Sequence, residues 1–231
     1  MRYIMGKHIL LTFILLLPFQ NKSHAQNLDW GNCLNGDIWL LVDTSGSLNG
    51  REETLYSAVQ TIASKLIQWN PETRVGLWEF PIITNNRQTE DESVLRVDLT
   101  RDKEAFNGFW SKGYGNENIA KALSNAFFYH NNTVTKDREE QENYQKILIL
   151  ISDGVDGDNH QRAQSYAQYI KSQGMGIISL HLVTEKASQH STDINQFMRS
   201  ISGIPDKTEE AYFQTNLENL AQFFSATFGC H

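Results

Sequence analysis

The chain has 231 residues, 40% of them hydrophobic and 20% charged, with a formal net charge of −7. That length and apolar content suit one globular domain of ordinary size. The acidic balance argues against nucleic acid as a partner, because phosphate binding needs clustered Lys and Arg.

In chain order, the first segment stands apart from that domain. Arg2 and Lys7 precede an apolar run at 9–19 (ILLTFILLLPF), and Ser23 and Ala25 put small residues before Gln26. This order predicts a cleaved signal peptide over 1–25. The alternative, a membrane anchor, needs roughly 20 apolar residues, about twice this run. No Cys follows the run closely, which argues against a lipid-modified start. No later segment is apolar enough to cross a membrane, so the expected mature chain is soluble and secreted or periplasmic. Removing Arg2, Lys7 and Lys22 from the 20 basic residues leaves 17 against 27 acidic ones, a net −10. The domain itself is expected over 33–231. It begins and nearly ends with the two cysteines, Cys33 and Cys230. In an oxidising compartment they are expected to pair and join the ends of the domain; the alternative is two unpaired thiols. No His lies near either at zinc-ligand spacing.

Short apolar strands then alternate with longer amphipathic helices. Residues 37–43 (DIWLLVD) form a nearly continuous apolar run, as in a strand buried on both faces. Leu55, Val59, Ile62, Ala63, Leu66 and Ile67 recur at helical spacing, with Pro71 beyond them. A second strand is predicted at 74–80 (RVGLWEF), ended by Pro81, and 94–99 alternates as an edge strand does. A short helix is predicted near 103–110, and Ile119, Ala122, Leu123, Ala126 and Phe127 mark another helical face. Residues 146–151 (KILILI) carry the strongest strand pattern and run into Ser152-Asp153-Gly154. A helix over 163–173 closed by Gly174, a strand over 176–183 and helices near 194–201 and 217–228 complete the order. Stretches 85–92 and 133–143 are polar and predict surface loops. Strand–helix alternation of this kind predicts an α/β fold: a three-layer, doubly wound, mostly parallel sheet flanked by helices.

Two acids, Asp43 and Asp153, stand at the C-terminal ends of the central strands, the edge where open α/β sheets bind ligands. Around Asp43 the chain offers Ser45 and Ser47, with Gly46 allowing a tight turn. One carboxylate and two hydroxyls are hard oxygen donors suited to Mg²⁺, Mn²⁺ or Ca²⁺, and not to a soft metal.

Asp43-Thr44-Ser45-Gly46-Ser47 after an apolar strand resembles the metal-ion-dependent adhesion site of von Willebrand factor type A domains. Phe80 after RVGLWE resembles the family's second strand, and Ser152-Asp153-Gly154 its third metal-site segment. The likeness covers roughly residues 37–228 and implies a Rossmann-like domain that binds a partner without catalysis. It implies that Ser45 and Ser47 bind the metal directly, that Asp43 and Asp153 hold it mainly through water, and that a partner carboxylate completes the shell. With few direct carboxylates the ion keeps the charge needed to attract an incoming Glu or Asp.

One position departs from the pattern. Where the family supplies a Thr before the third helix, this chain has Glu117 in Gly115-Asn116-Glu117-Asn118. Glu117 either ligates the metal and weakens or replaces the partner's carboxylate, or merely begins a helix whose dipole favours an acid. Asp156 and Asp158 fit turn positions better than groups supporting the metal ligands or a second cation site. The histidines show no zinc-binding spacing, and Asn131-Asn132-Thr133 is a glycosylation acceptor string that matters only in a host that modifies Asn. Leu220, Phe223, Phe224 and Phe228 read as the buried face of the last helix.

The expected function is therefore a metal-dependent, noncatalytic adhesion or assembly module for a protein partner. A metal-independent envelope scaffold is the alternative if Glu117 disables the site. A hydrolase fits less well: no second Asp lies two positions after Asp43, and no Gly-x-Ser-x-Gly elbow surrounds Ser45 or Ser47.

Overall fold

The computed structural model describes residues 34–48, 50–82, 92–108, 118–134, 144–154, 160–184, 191–207 and 210–229. Six strands form one sheet: β1 (Gly36–Asp43), β2 (Arg74–Ile82), β3 (Glu92–Thr100), β4 (Gln145–Ser152), β5 (Gly176–Leu182) and β6 (Tyr212–Thr215). The helices are α1 (Glu52–Trp69), α2 (Ile119–Thr133), α3 (His160–Ser172), α4 (Ser191–Ile201) and α5 (Leu220–Phe228). Strand order is β3-β2-β1-β4-β5-β6, with β3 antiparallel to β2 and every other pairing parallel. This is the expected doubly wound, mostly parallel α/β sheet. Winding reverses between β1 and β4, so their C-terminal ends flank the crevice of the fold.

β1 is buried along its whole length because both of its faces are covered. Ile38, Leu40 and Val42 pack with Leu55, Val59, Ile62 and Leu66 of α1 and with Phe224 and Phe228 of α5. Trp39 and Leu41 pack on the opposite face with Ile119, Leu123 and Phe127 of α2 and Ala167 and Ile170 of α3. The last helix thus buries Leu220, Phe224 and Phe228 of the face read from the sequence, while Phe223 is half-buried at its edge. Its first turn is a separate 3-10 turn at Leu217–Asn219, where the Asn216 side chain accepts from the Asn219 N–H.

Trp39 needs room that only a glycine leaves. Gly76 lies opposite it in the β1–β2 register, and a Cβ there would sit 2.2 Å from the Trp39 ring. Gly76→Ala is expected to lower stability by about 1–3 kcal/mol, because a fully packed ring must leave its rotamer. A urea midpoint unchanged from wild type would contradict this.

Other sequence expectations are corrected. Pro81 does not end β2, which continues to Ile82 through a cis Phe80–Pro81 bond. β1 stops at Asp43 opposite Phe80, so at Pro81 no β1 residue requires the N–H that proline lacks. The helix expected near 103–110 is a 3-10 turn at Lys103–Phe106. Glu92 belongs to β3 and Thr133 to α2, not to loops. The expected signal segment, Cys33, Cys230, Asp156 and Asp158 lie outside the described residues.

Candidate metal site

The structure brings Asp43, Ser45, Ser47 and Asp153 to the crevice at the winding reversal. Asp43 is the last residue of β1, and the Thr44 N–H donates to the Phe80 carbonyl at 2.7 Å, tying the loop to β2. The Ser45 N–H donates to Asp43 Oδ1 at 2.7 Å, folding the chain back over its own carboxylate. A 3-10 turn at Gly46–Leu48 then places Ser47 Oγ 2.8 Å from Ser45 Oγ. Asp43 and Ser45 are buried, and Ser47 is half-buried.

Asp153 follows β4, whose Ile151 is paired with Val42 of β1. The Gly154 N–H donates to Ser152 Oγ at 2.7 Å, and Gly154 has φ +71°. A Cβ at Gly154 would also lie 2.7 Å from Ile194 Cγ2, so glycine serves both the turn and the packing of α4. Asp153 is fully buried, and its Oδ2 accepts from the Thr184 hydroxyl at 3.1 Å.

The electrostatics are those of a site short of positive charge. Burial, and then the like charge of Asp153, push the Asp43 carboxyl up from 3.8 to about 7. Asp43 Oδ2 is buried without a hydrogen-bond partner among the described residues. A buried carboxylate oxygen left in this way needs a proton or a cation. The donors nearby are carboxylate and hydroxyl oxygens, a set that fits a hard divalent ion and offers nothing to a soft one. Among the described residues no three His, Cys, Asp or Glu side chains gather as a metal-holding group, at this crevice or elsewhere, so the donors here are two acids and two hydroxyls.

Glu117 lies outside the described residues, so its role stays as the sequence leaves it. His130 and His181 are buried: His130 Nδ1 accepts from Trp39 Nε1 at 3.3 Å, and burial lowers the His181 pKa. Sequence reasoning missed Thr184. The rule that singled out Asp43 and Asp153, a polar residue just past an apolar strand, applies to Thr184 equally.

Strand order, winding reversal and an acid-and-hydroxyl loop define a Rossmann-like α/β domain with a candidate cation site. A family model for the von Willebrand factor type A domain matches residues 37–226, and the chain belongs to that family. Among solved structures, the pilus adhesin SpaC from Lactobacillus rhamnosus GG, in its open conformation, is similar at 15% identity and TM-score 0.62. That likeness covers 84% of this chain and 30% of SpaC. Manganese-loaded TRAP from Plasmodium vivax is similar at 17% identity and TM-score 0.54, covering 85% of this chain and 74% of that one. Proximal thread matrix protein 1 from the mussel byssus, with a zinc-occupied MIDAS motif, gives 16% identity and TM-score 0.59, covering 85% and 48%. No curated protein matches the chain in sequence. Among the described residues no helix is long and apolar enough to cross a membrane.

Proposed function

We propose that the chain is a noncatalytic binding module that holds a divalent cation at Asp43, Ser45, Ser47 and Asp153 and engages a protein partner there. The observation that carries this reading is Asp43: fully buried beside Asp153, with its Oδ2 lacking a hydrogen-bond partner among the described residues. Mg²⁺, Mn²⁺ and Ca²⁺ all suit the donors, and metal-loaded relatives of the same fold support the assignment. When bound, the ion supplies positive charge that can accept an oxygen from an acidic side chain of the partner. Ser45 and Ser47 present hydroxyls to it, while Asp43 and Asp153 balance its charge. Glu117 either joins these ligands or leaves the position to the partner. The adhesin among the similar structures supports a role in adhesion or assembly. Secretion through the 1–25 segment and a Cys33–Cys230 bridge complete the proposal.

Calorimetry with Mg²⁺ tests it. Wild type is expected to bind and Ser45→Ala to bind at least about tenfold more weakly, since a direct donor is lost. Binding must displace the proton on Asp43, whose carboxyl titrates near pH 7. Affinity should therefore rise from pH 6 to pH 8, by up to about tenfold per unit below the pKa. Mg²⁺ binding with no pH dependence and no loss in Ser45→Ala would place the ion elsewhere.

A further inference from the structure

We propose that Thr184 is a positioning residue that sets the rotation of the Asp153 carboxylate and so tunes which cation the site accepts. This rests on the metal-site reading above. Thr184 and Asp153 are 8% and 0% exposed, and the hydroxyl donates to Oδ2 at 3.1 Å. A hydrogen bond to a charged, buried acceptor is strong and directional, so it commits one carboxylate oxygen and orients the other.

The main chain on both sides of this bond is fixed. Leu182 is in register with Thr215 of β6, the Val183 N–H donates to the Thr215 carbonyl at 2.9 Å, and His181 is in register with Ser152 of β4. Below Thr184, a polar brace joins three elements. The Tyr212 hydroxyl donates to Asn195 Oδ1 at 2.8 Å, Gln214 Nε2 donates to the same oxygen at 2.7 Å, and His181 Nδ1 lies 2.9 Å from the Tyr212 hydroxyl. His181 Nδ1 also lies 3.3 Å from Gln214 Nε2, so the ring joins both side chains of the brace, and its tautomer sets which of the two contacts it donates or accepts. On the other side, Gly154 packs against α4 and holds the backbone of Asp153. The Asp153 backbone is thus held by β4 and α4, and its side-chain torsion by Thr184.

This arrangement makes a selectivity prediction that a merely structural bond does not. Mg²⁺ demands near-ideal octahedral geometry, whereas Ca²⁺ tolerates irregular shells. Loosening Asp153 should therefore penalise Mg²⁺ more than Ca²⁺. The experiment is calorimetric titration of the full mature chain with Mg²⁺ and with Ca²⁺, for wild type, Thr184→Val, Thr184→Ala and Thr184→Ser. Thermal unfolding of each metal-free protein establishes that it is folded, and Asp43→Ala serves as the site-null control. Thr184→Val and Thr184→Ala are expected to weaken Mg²⁺ by about tenfold, the size of other outer-shell losses, and Ca²⁺ by less than about threefold. Thr184→Ser, which keeps the hydroxyl, should restore Mg²⁺ binding to near wild type. Equal losses for both ions, or Mg²⁺ affinity unchanged in Val and Ala while Asp43→Ala abolishes it, would overturn the Thr184 role alone. Wild type that binds neither ion in an Asp43-dependent way would overturn the metal reading and the Thr184 role with it.

Discussion

Metal-free Asp43→Asn is expected to unfold at a higher temperature than metal-free wild type at pH 8, yet to gain nothing from added Mg²⁺. The first effect follows from linkage. The folded carboxyl titrates near 7, far above its ordinary 3.8, because it is buried beside Asp153. The folded state therefore binds this proton more tightly than the unfolded state. The resulting stabilisation is complete below about pH 4 and is lost as pH rises through about 7. At pH 8 the ionised, metal-free site costs on the order of 2–4 kcal/mol, which a neutral amide of the same shape removes. The melting temperature should rise by about 5–10 °C for a domain of this size. The amide oxygen can still accept from the Ser45 N–H, so the loop keeps its turn.

The second effect follows from charge: the Asn variant gives the cation no carboxylate at the buried position. Wild type should be stabilised by Mg²⁺ in proportion to the logarithm of its concentration, and Asp43→Asn should not respond. Differential scanning fluorimetry at pH 5.5 and pH 8, with EDTA or Mg²⁺, reads both effects. Glu79, also raised to about 7 by burial, keeps its own pH slope in both proteins, so the variant's difference from wild type isolates Asp43. A metal-free Asn variant less stable than wild type would mean that hydrogen bonds outweigh like-charge strain.

The central strands and the site acids were legible because the local chain carries their signals. β1 and β4 are near-continuous apolar runs, as strands covered on both faces must be, and Asp43 and Asp153 stand where those runs stop. The features that stayed hidden depend on partners distant in sequence. β6 has only four residues, Tyr212–Thr215, too few for a period to show. Glu79 sits in a run that reads as strand, but its burial is tolerated through Arg96 Nε at 2.7 Å, from the neighbouring edge strand. Thr184 gains its meaning only when β5 is set beside β4, since 31 residues separate it from Asp153. Likewise Pro81 ends a strand on local rules, whereas the register with β1 removes the need for its N–H.

Asp37 is the largest case of hidden pairing, and it yields the second large prediction. It is the second residue of β1, opposite Arg74 of β2, and is fully buried. Arg74 binds it through Nε at 2.9 Å and Nη2 at 2.5 Å, and the Tyr144 hydroxyl adds a third bond at 2.7 Å. That hydrogen bonding also pushes the Arg74 pKa up. Arg74→Met takes the guanidinium away from the buried Asp37 carboxylate, at a cost of about 3 kcal/mol. The melting temperature should fall by about 6–12 °C. Adding Asp37→Leu should recover much of the loss, and the double-mutant cycle should give a coupling energy of about 2 kcal/mol or more. By contrast, breaking the Arg101–Glu72 pair, whose side chains are 46% and 57% exposed, should cost less than about 1 kcal/mol. Asp37 and Asp43 lie at opposite ends of β1, about 20 Å apart at strand rise. Arg74→Met should therefore leave Mg²⁺ affinity within about twofold of wild type, since well-separated sites act independently. A large fall in Mg²⁺ affinity would show that β1 transmits strain along its length, and that the two ends of this strand are not energetically separate.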